Sequence, residues 1–280
     1  MSELKLGVSS YSYWHFSGPK VTIAEVIEKA AKSNFFGVEV IEEQLDSTDS
    51  ANLNKLKRMA FQNGLNIYNF ASSQDFVWNE EEKRRANLEK TKKSIDMAYQ
   101  IGAASMRINA GWWRQDEKSM GLLESKGWAT PWDGASLDDG FNWAIECLIK
   151  SADYAKNAGI QLLLENHWGL TTTADGMLRV IKGVNSPWLR TIIDTGNFYY
   201  EDDYYKAMEK IMPYTDLIHA KTYPGGGVVL TVDIDYARVF KMMKDADFKG
   251  YVTLEMEGKA EKDIAVPESA LELKQIWQQV

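Results

Sequence analysis

Glu165 closes the run "IQLLLE", Asp194 closes "RTIID", His219 sits in "DLIHAK" and Glu255 closes "YVTLE". Each carries an oxygen or imidazole donor able to bind a divalent cation, and each follows apolar residues that would bury it. Singly, a carboxylate in such a place can cap the next helix, and a histidine can be a satisfied core residue. Together they are hard to explain without a cation, because carboxylates sharing one pocket repel one another and raise each other's pKa. Three oxygen-donor residues and one imidazole suit Mn²⁺ first, with Mg²⁺, Co²⁺ or Zn²⁺ as alternatives, and leave positions for water or substrate oxygens. No thiolate joins the set, which argues against a closed structural zinc site.

Such a set requires elements that bring distant residues together. The β-rich runs at 4–10, 35–41, 65–71, 105–110, 160–165, 190–194, 216–221 and 251–255 predict eight strands, with room for a helix between each pair. "TIAEVIEKAAKSN" opens a helix at Thr22, "NLNKLKRMAFQNG" stops at Gly64, and "FNWAIECLIKSADYAKNAG" stops at Gly159. Eight β/α units without a composition break predict one α/β domain over residues 1–280, a closed (β/α)8 TIM barrel. A doubly wound sheet is the rival, but no glycine-rich phosphate loop follows the first strand. In a barrel, the strand C-terminal ends build the active site, and neighbouring strands lie about 4.8 Å apart. The four donors would therefore meet at one end.

Other residues join them on the same reasoning. His167 lies two residues past Glu165, Arg107 and Asn109 alternate at the end of the fourth strand, and Glu257 follows Glu255 by two. Glu39 in "GVEV" is a further candidate for the site. The connection at about 110–137 is too long for an ordinary βα loop and carries Trp112, Trp113, Trp128 and Trp132, as a lid or binding loop would. Trp14 and His15, after the first strand, would join Trp112 and Trp113 in covering the mouth. Aromatic faces suit sugar C–H surfaces.

Composition excludes several classes. A hydrophobic content of 45% and a charged content of 26% fit a globular protein with a large core. The net charge of −8 opposes nucleic-acid binding, and the densest basic stretch, "EEEKRRANLEKTKKS", reads as a solvated helix face. No segment has the apolar length of a membrane span or a signal peptide, so the expected location is the cytoplasm, with no membrane partner. The lone Cys147 cannot form an internal disulfide and is expected to pack.

The ordered motifs "LEN", "DTGN", "HAK" and "LEMEG" at the last four strands, with "GVEV" in the second, resemble the xylose isomerase-like superfamily of TIM barrels. The closer likeness is to its sugar phosphate isomerase/epimerase-like group, which includes ketose 3-epimerases and inosose dehydratases. The resemblance implies that Glu165 and Glu255 bind metal and serve as the acid/base pair, with Asp194 and His219 completing the metal shell. It also implies a small carbohydrate substrate and a homo-oligomer. Where ketose epimerases often carry a histidine after the sixth-strand aspartate, this chain has Asn197, and where they commonly carry an arginine near the seventh-strand histidine, it has Lys221. Both are expected to contact substrate, as are His167, Arg107, Trp14, Trp112 and Trp113.

The expected activity is that of a metal-dependent isomerase or epimerase, abstracting a proton beside the carbonyl of a ketose, keto-sugar or related polyol. The alternative is a lyase of the same fold, a keto-sugar or inosose dehydratase or a 3-keto-glycoside eliminase. A DNA-repair endonuclease of this barrel class would need more than the three histidines present. A non-catalytic binding protein would have no use for four intact ligands.

Overall fold

The computed structural model describes residues 3–113, 130–198 and 201–280. Its eight strands are β1 (Leu6–Ser9), β2 (Gly37–Ile41), β3 (Asn66–Ala71), β4 (Ser105–Ile108), β5 (Gln161–Glu165), β6 (Leu189–Asp194), β7 (Thr215–Thr222) and β8 (Tyr251–Met256). They follow one another in hydrogen-bonded order and close into a parallel (β/α)8 barrel. The helices between and after them are α1 (Ile23–Lys32), α2 (Ser50–Gln62), α3 (Glu81–Ile101), α4 (Leu137–Ala158), α5 (Ala174–Val184), α6 (Tyr204–Ile211), α7 (Tyr236–Asp245) and α8 (Lys262–Gln279). Every predicted strand is present. Burial runs almost unbroken along each strand, as expected of parallel strands covered on both faces.

Helix ends follow local chemistry. Thr22 caps α1 in a capping box with Glu25, and α1 buries Ile23, Val26, Ile27 and Ala30, one face at helical spacing. Ser136 and Asp139 form a second box at the start of α4, which ends on Gly159 at φ 71°. β4 stops at Ile108, short of the expected Ala110. The chain turns there because the Ala110 carbonyl accepts from Phe76 N–H and Gly111 adopts φ 109°, with Asp75 Oδ1 2.2 Å from where a Cβ would lie. Much of the long connection that follows, including Trp128, lies outside the described residues.

The fold divides into two compact units. One comprises Met1–Ala71, Met97–Ala104 and Asp216–Val280; the other comprises Ser72–Asp96 and Ser105–Thr215. In the first, β7 pairs with β8, β8 with β1, β1 with β2, and β2 with β3. In the second, β4 pairs with β5 and β5 with β6. Among the described residues, no helix is long and apolar enough to cross a membrane.

Candidate active site

In the first unit the site is built around β7. His219 and Lys221 are two residues apart, so they share one face of the strand. On the neighbouring β8, Glu255 pairs in register with Lys221 and Thr253 with His219. His219 Nε2 lies 2.9 Å from Glu39 Oε2, and its Nδ1 lies 3.5 Å from Glu255 Oε1. Lys221 Nζ lies 2.9 Å from the other oxygen of Glu255 and 2.5 Å from Glu257 Oε2. These side chains are buried: Glu39 and His219 at 0%, Glu255 at 4%, Glu257 at 5% and Lys221 at 7% exposure.

The donor set fits a divalent cation. Glu39, His219 and Glu255 offer ligand atoms within 4.8 Å of one another, all from buried residues. Carboxylates gathered in a buried place are costly unless compensated, and a divalent cation bound there would offset their charge.

The end of β8 is tied to the loop after β1. Met256 N–H donates to Ser12 Oγ, Ser12 Oγ donates to the Leu254 carbonyl, and the Met256 carbonyl accepts from His15 Nε2 at 2.6 Å. Burial, the largest influence on the His15 imidazole, holds its pKa below the usual histidine value. His15 braces the loop against β8 through its bond to the Met256 carbonyl. Tyr11 connects this loop to the ion cluster, with Lys221 Nζ 5.0 Å from its ring centre, and Trp14 packs on Phe16 at 4.8 Å between centroids.

In the second unit, Glu165 at the end of β5 is 1% exposed and faces two donors from the end of β4. Arg107 Nη1 and Asn109 Nδ2 each lie 3.4 Å from Glu165 Oε2. Arg107 also donates to Ser73 Oγ at 3.3 Å, which fixes the guanidinium. Asp194, at the end of β6, is fully buried, and its Oδ1 accepts from Gly196 N–H at 2.8 Å. The side chain of Asn166 clamps its backbone: Oδ1 accepts from Asp194 N–H at 2.6 Å, and Nδ2 donates to the Asp194 carbonyl at 2.9 Å.

The remaining expected residues divide by environment. His167 is half-buried, its ring 5.4 Å from Trp168, which meets Trp112 edge-on at 6.3 Å. Asn197 is 4% exposed, and its N–H donates to the Asp194 carbonyl. Trp113, in contrast, is 2% exposed and packs edge-on against Trp143, over Gly140 of α4, where a Cβ would lie 2.4 Å from its indole. Cys147 is buried in α4, and burial pushes its thiol up to about 11, as for a packing cysteine. Three participants escaped the sequence reading: Asn69, whose Nδ2 donates to Glu39 Oε2, Gln74, whose Oε1 accepts from Asn109 N–H, and Asn166. Asn166 had a signal, since it adjoins Glu165 in "LEN", but side-chain amides serving neighbouring strands leave no periodic trace.

The model of the family described as xylose isomerase-like TIM barrel matches residues 27–276. An inosose dehydratase of Yersinia enterocolitica is 23% identical over 271 residues, covering 86% of this chain and 84% of that protein. An inosose dehydratase of Serratia proteamaculans is 28% identical over 169 residues, covering 49% of this chain and about half, 52%, of its relative. Among solved structures, a 3-keto-D-glucoside 4-epimerase from E. coli superposes with TM-score 0.77 at 18% identity, covering 98% of this chain and 100% of the other. A D-psicose 3-epimerase superposes with TM-score 0.76 at 17% identity, covering 98% and 99%. At these identities the solved structures support the fold alone.

Proposed function

The chain belongs to the xylose isomerase-like TIM-barrel family, and from that premise we propose that it is a divalent-metal-dependent sugar isomerase or epimerase. Its substrate is a ketose, keto-sugar or related polyol that loses a proton beside a carbonyl. The observation that carries this reading is the buried cluster of Glu39, His219 and Glu255, whose donor atoms lie within 4.8 Å of one another. We assign Glu165, Asp194, His219 and Glu255 as the cation's ligands, Mn²⁺ first, because they lie on four successive strands, β5 to β8, of the closed order.

The bound cation would supply charge neutralisation for oxygens that become anionic in the reaction. In the proposal, Glu165 takes the proton from carbon and Glu255 returns one on the opposite face, which inverts the centre; a single base serving both carbons would isomerise. Arg107 and Asn109 hold Glu165 in place, and His167, Asn197 and Lys221 bind the sugar hydroxyls. Trp14 and Trp112 offer apolar faces that exclude water. The single, buried Cys147 is compatible with a cytoplasmic setting.

A second reading, a lyase, is favoured by one observation: the Lys221 ammonium lies 2.9 Å from Glu255 Oε2. An acid beside the base can protonate a departing β-hydroxyl, so that the enolate electrons form a C=C bond as the C–O bond breaks and water leaves. The names of the two curated relatives agree with that chemistry. NMR in D₂O of the Mg²⁺-loaded chain with ketoses, inososes and 3-keto-glycosides separates the readings. Deuterium beside the carbonyl together with an isomeric product supports the first, and loss of water or an aglycone supports the second. No exchange with any of them would count against both.

A further inference from the structure

We propose that Glu39 is the positioning residue of His219: its carboxylate fixes the imidazole as the Nε2–H tautomer, which aims the Nδ1 lone pair at the cation. The proposal rests on the metal-dependent reading above, but its first test does not.

Glu39 Oε2 takes two contacts. Asn69 Nδ2 reaches it at 2.7 Å, and His219 Nε2 at 2.9 Å. The Asn69 amide nitrogen donates to this oxygen, and an ionised Glu39 accepts from the imidazole nitrogen beside it as well. With Nε2 as the donor to Glu39, Nδ1, 3.5 Å from Glu255 Oε1, is the ring nitrogen left to a cation. Glu39 contacts Nε2 and Glu255 faces Nδ1, so the proposal gives Glu39 the part of orienting the imidazole rather than of ligating.

The strands are bent to make this contact. Val38 pairs with Ile67, but Glu39 pairs with Asn69, and Tyr68 is left over as a bulge in β3. A regular register would set Tyr68 opposite Glu39. The phenol instead lies against β1 and β8: its hydroxyl is 2.8 Å from Thr253 Oγ1, and its ring stacks on Tyr251 at 4.1 Å. Gly7 leaves room for it, because a Cβ there would lie 2.3 Å from the Tyr68 hydroxyl. The bulge, the glycine and the tyrosine pocket share one outcome, the Asn69 amide at the Glu39 carboxylate. Bulges beside active sites commonly re-aim a side chain in this way.

Carboxylates that orient a ligand histidine typically change metal affinity 10- to 100-fold. The first test is a long-range ¹H–¹⁵N correlation spectrum of the metal-free wild-type chain, in which only three histidines appear. His219 is expected as the Nε2–H tautomer, and the Nδ1–H tautomer would overturn the proposal whether or not the chain turns over any sugar. The second test is Mn²⁺ titration followed by EPR for wild type, Glu39→Gln and Glu39→Asp, each first checked for fold by circular dichroism. Affinity in Glu39→Gln is expected to drop about 10- to 100-fold with one ion still bound, and to recover partly in Glu39→Asp. Affinity within twofold of wild type, or complete loss of the ion with the tautomer unchanged, would overturn it. Should Glu39→Gln not fold, Asn69→Ala, which removes the second donor to Glu39, carries the same titration with a smaller expected drop.

Discussion

Lys221 Nζ lies 2.9 Å from Glu255 Oε2, while the other oxygen of Glu255 faces His219 Nδ1. One carboxylate thus stands between an ammonium and an imidazole. In the proposed lyase reading this ammonium is the group that hands a proton to the departing oxygen.

Lys221→Met should therefore affect two properties. It leaves Glu255 and Glu257 buried without their cation, at a cost of about 3–5 kcal/mol in stability, measured by urea denaturation. In the metal-loaded protein it should also lower kcat by about 10²–10⁴ if a proton on a leaving oxygen is required. Unchanged kcat with lowered stability would confine Lys221 to a structural role and weigh against the lyase reading.

Gly169→Ala should loosen the loop that carries His167. Gly169 has φ 82°, and a Cβ there would lie 2.3 Å from Trp112 Cβ and 2.5 Å from the Gly111 carbonyl. The expected loss is about 1–3 kcal/mol, with KM raised more than kcat is lowered, because the loop is proposed to bind substrate rather than move protons. A variant as stable as wild type would show that the two loops can separate freely.

Cys147 gives a pH signature that leaves the site untouched. Its thiol is pushed up from 9.0 to about 11 by burial, so the unfolded chain ionises first as pH rises. The stability it contributes is complete below about pH 9 and is lost as pH climbs toward 11. The stability gap between wild type and Cys147→Ala should shrink over that interval, and metal binding at neutral pH should be the same in both. A gap that widened with alkali would contradict the assignment.

The sequence made legible whatever is carried by period and by strand ends. Apolar runs ending in Glu165, Asp194, His219 and Glu255 are visible because a barrel strand must be buried before it can present a ligand. Thr22 and Gly159 are visible because helix ends use a small set of residues. Asn69 was hidden for a different reason: it reaches Glu39 only because β3 carries an extra residue, and nothing in "LNIYNFA" announces a bulge. Trp113 misleads from sequence because its neighbour Trp112 is half-buried beside Trp168, while it turns inward onto α4. Alternation in a loop carries no face.

The central claim of the proposal is that Glu165, Asp194, His219 and Glu255 are metal ligands. Titrating the metal-free chain with Mn²⁺, for wild type and Asp194→Asn, tests it most directly. The account predicts one ion per wild-type chain and a loss of at least about 100-fold in affinity in Asp194→Asn, estimated as about 3 kcal/mol for a missing charged ligand. Wild-type affinity in Asp194→Asn would contradict it, and would assign the ion to Glu39, His219 and Glu255 alone.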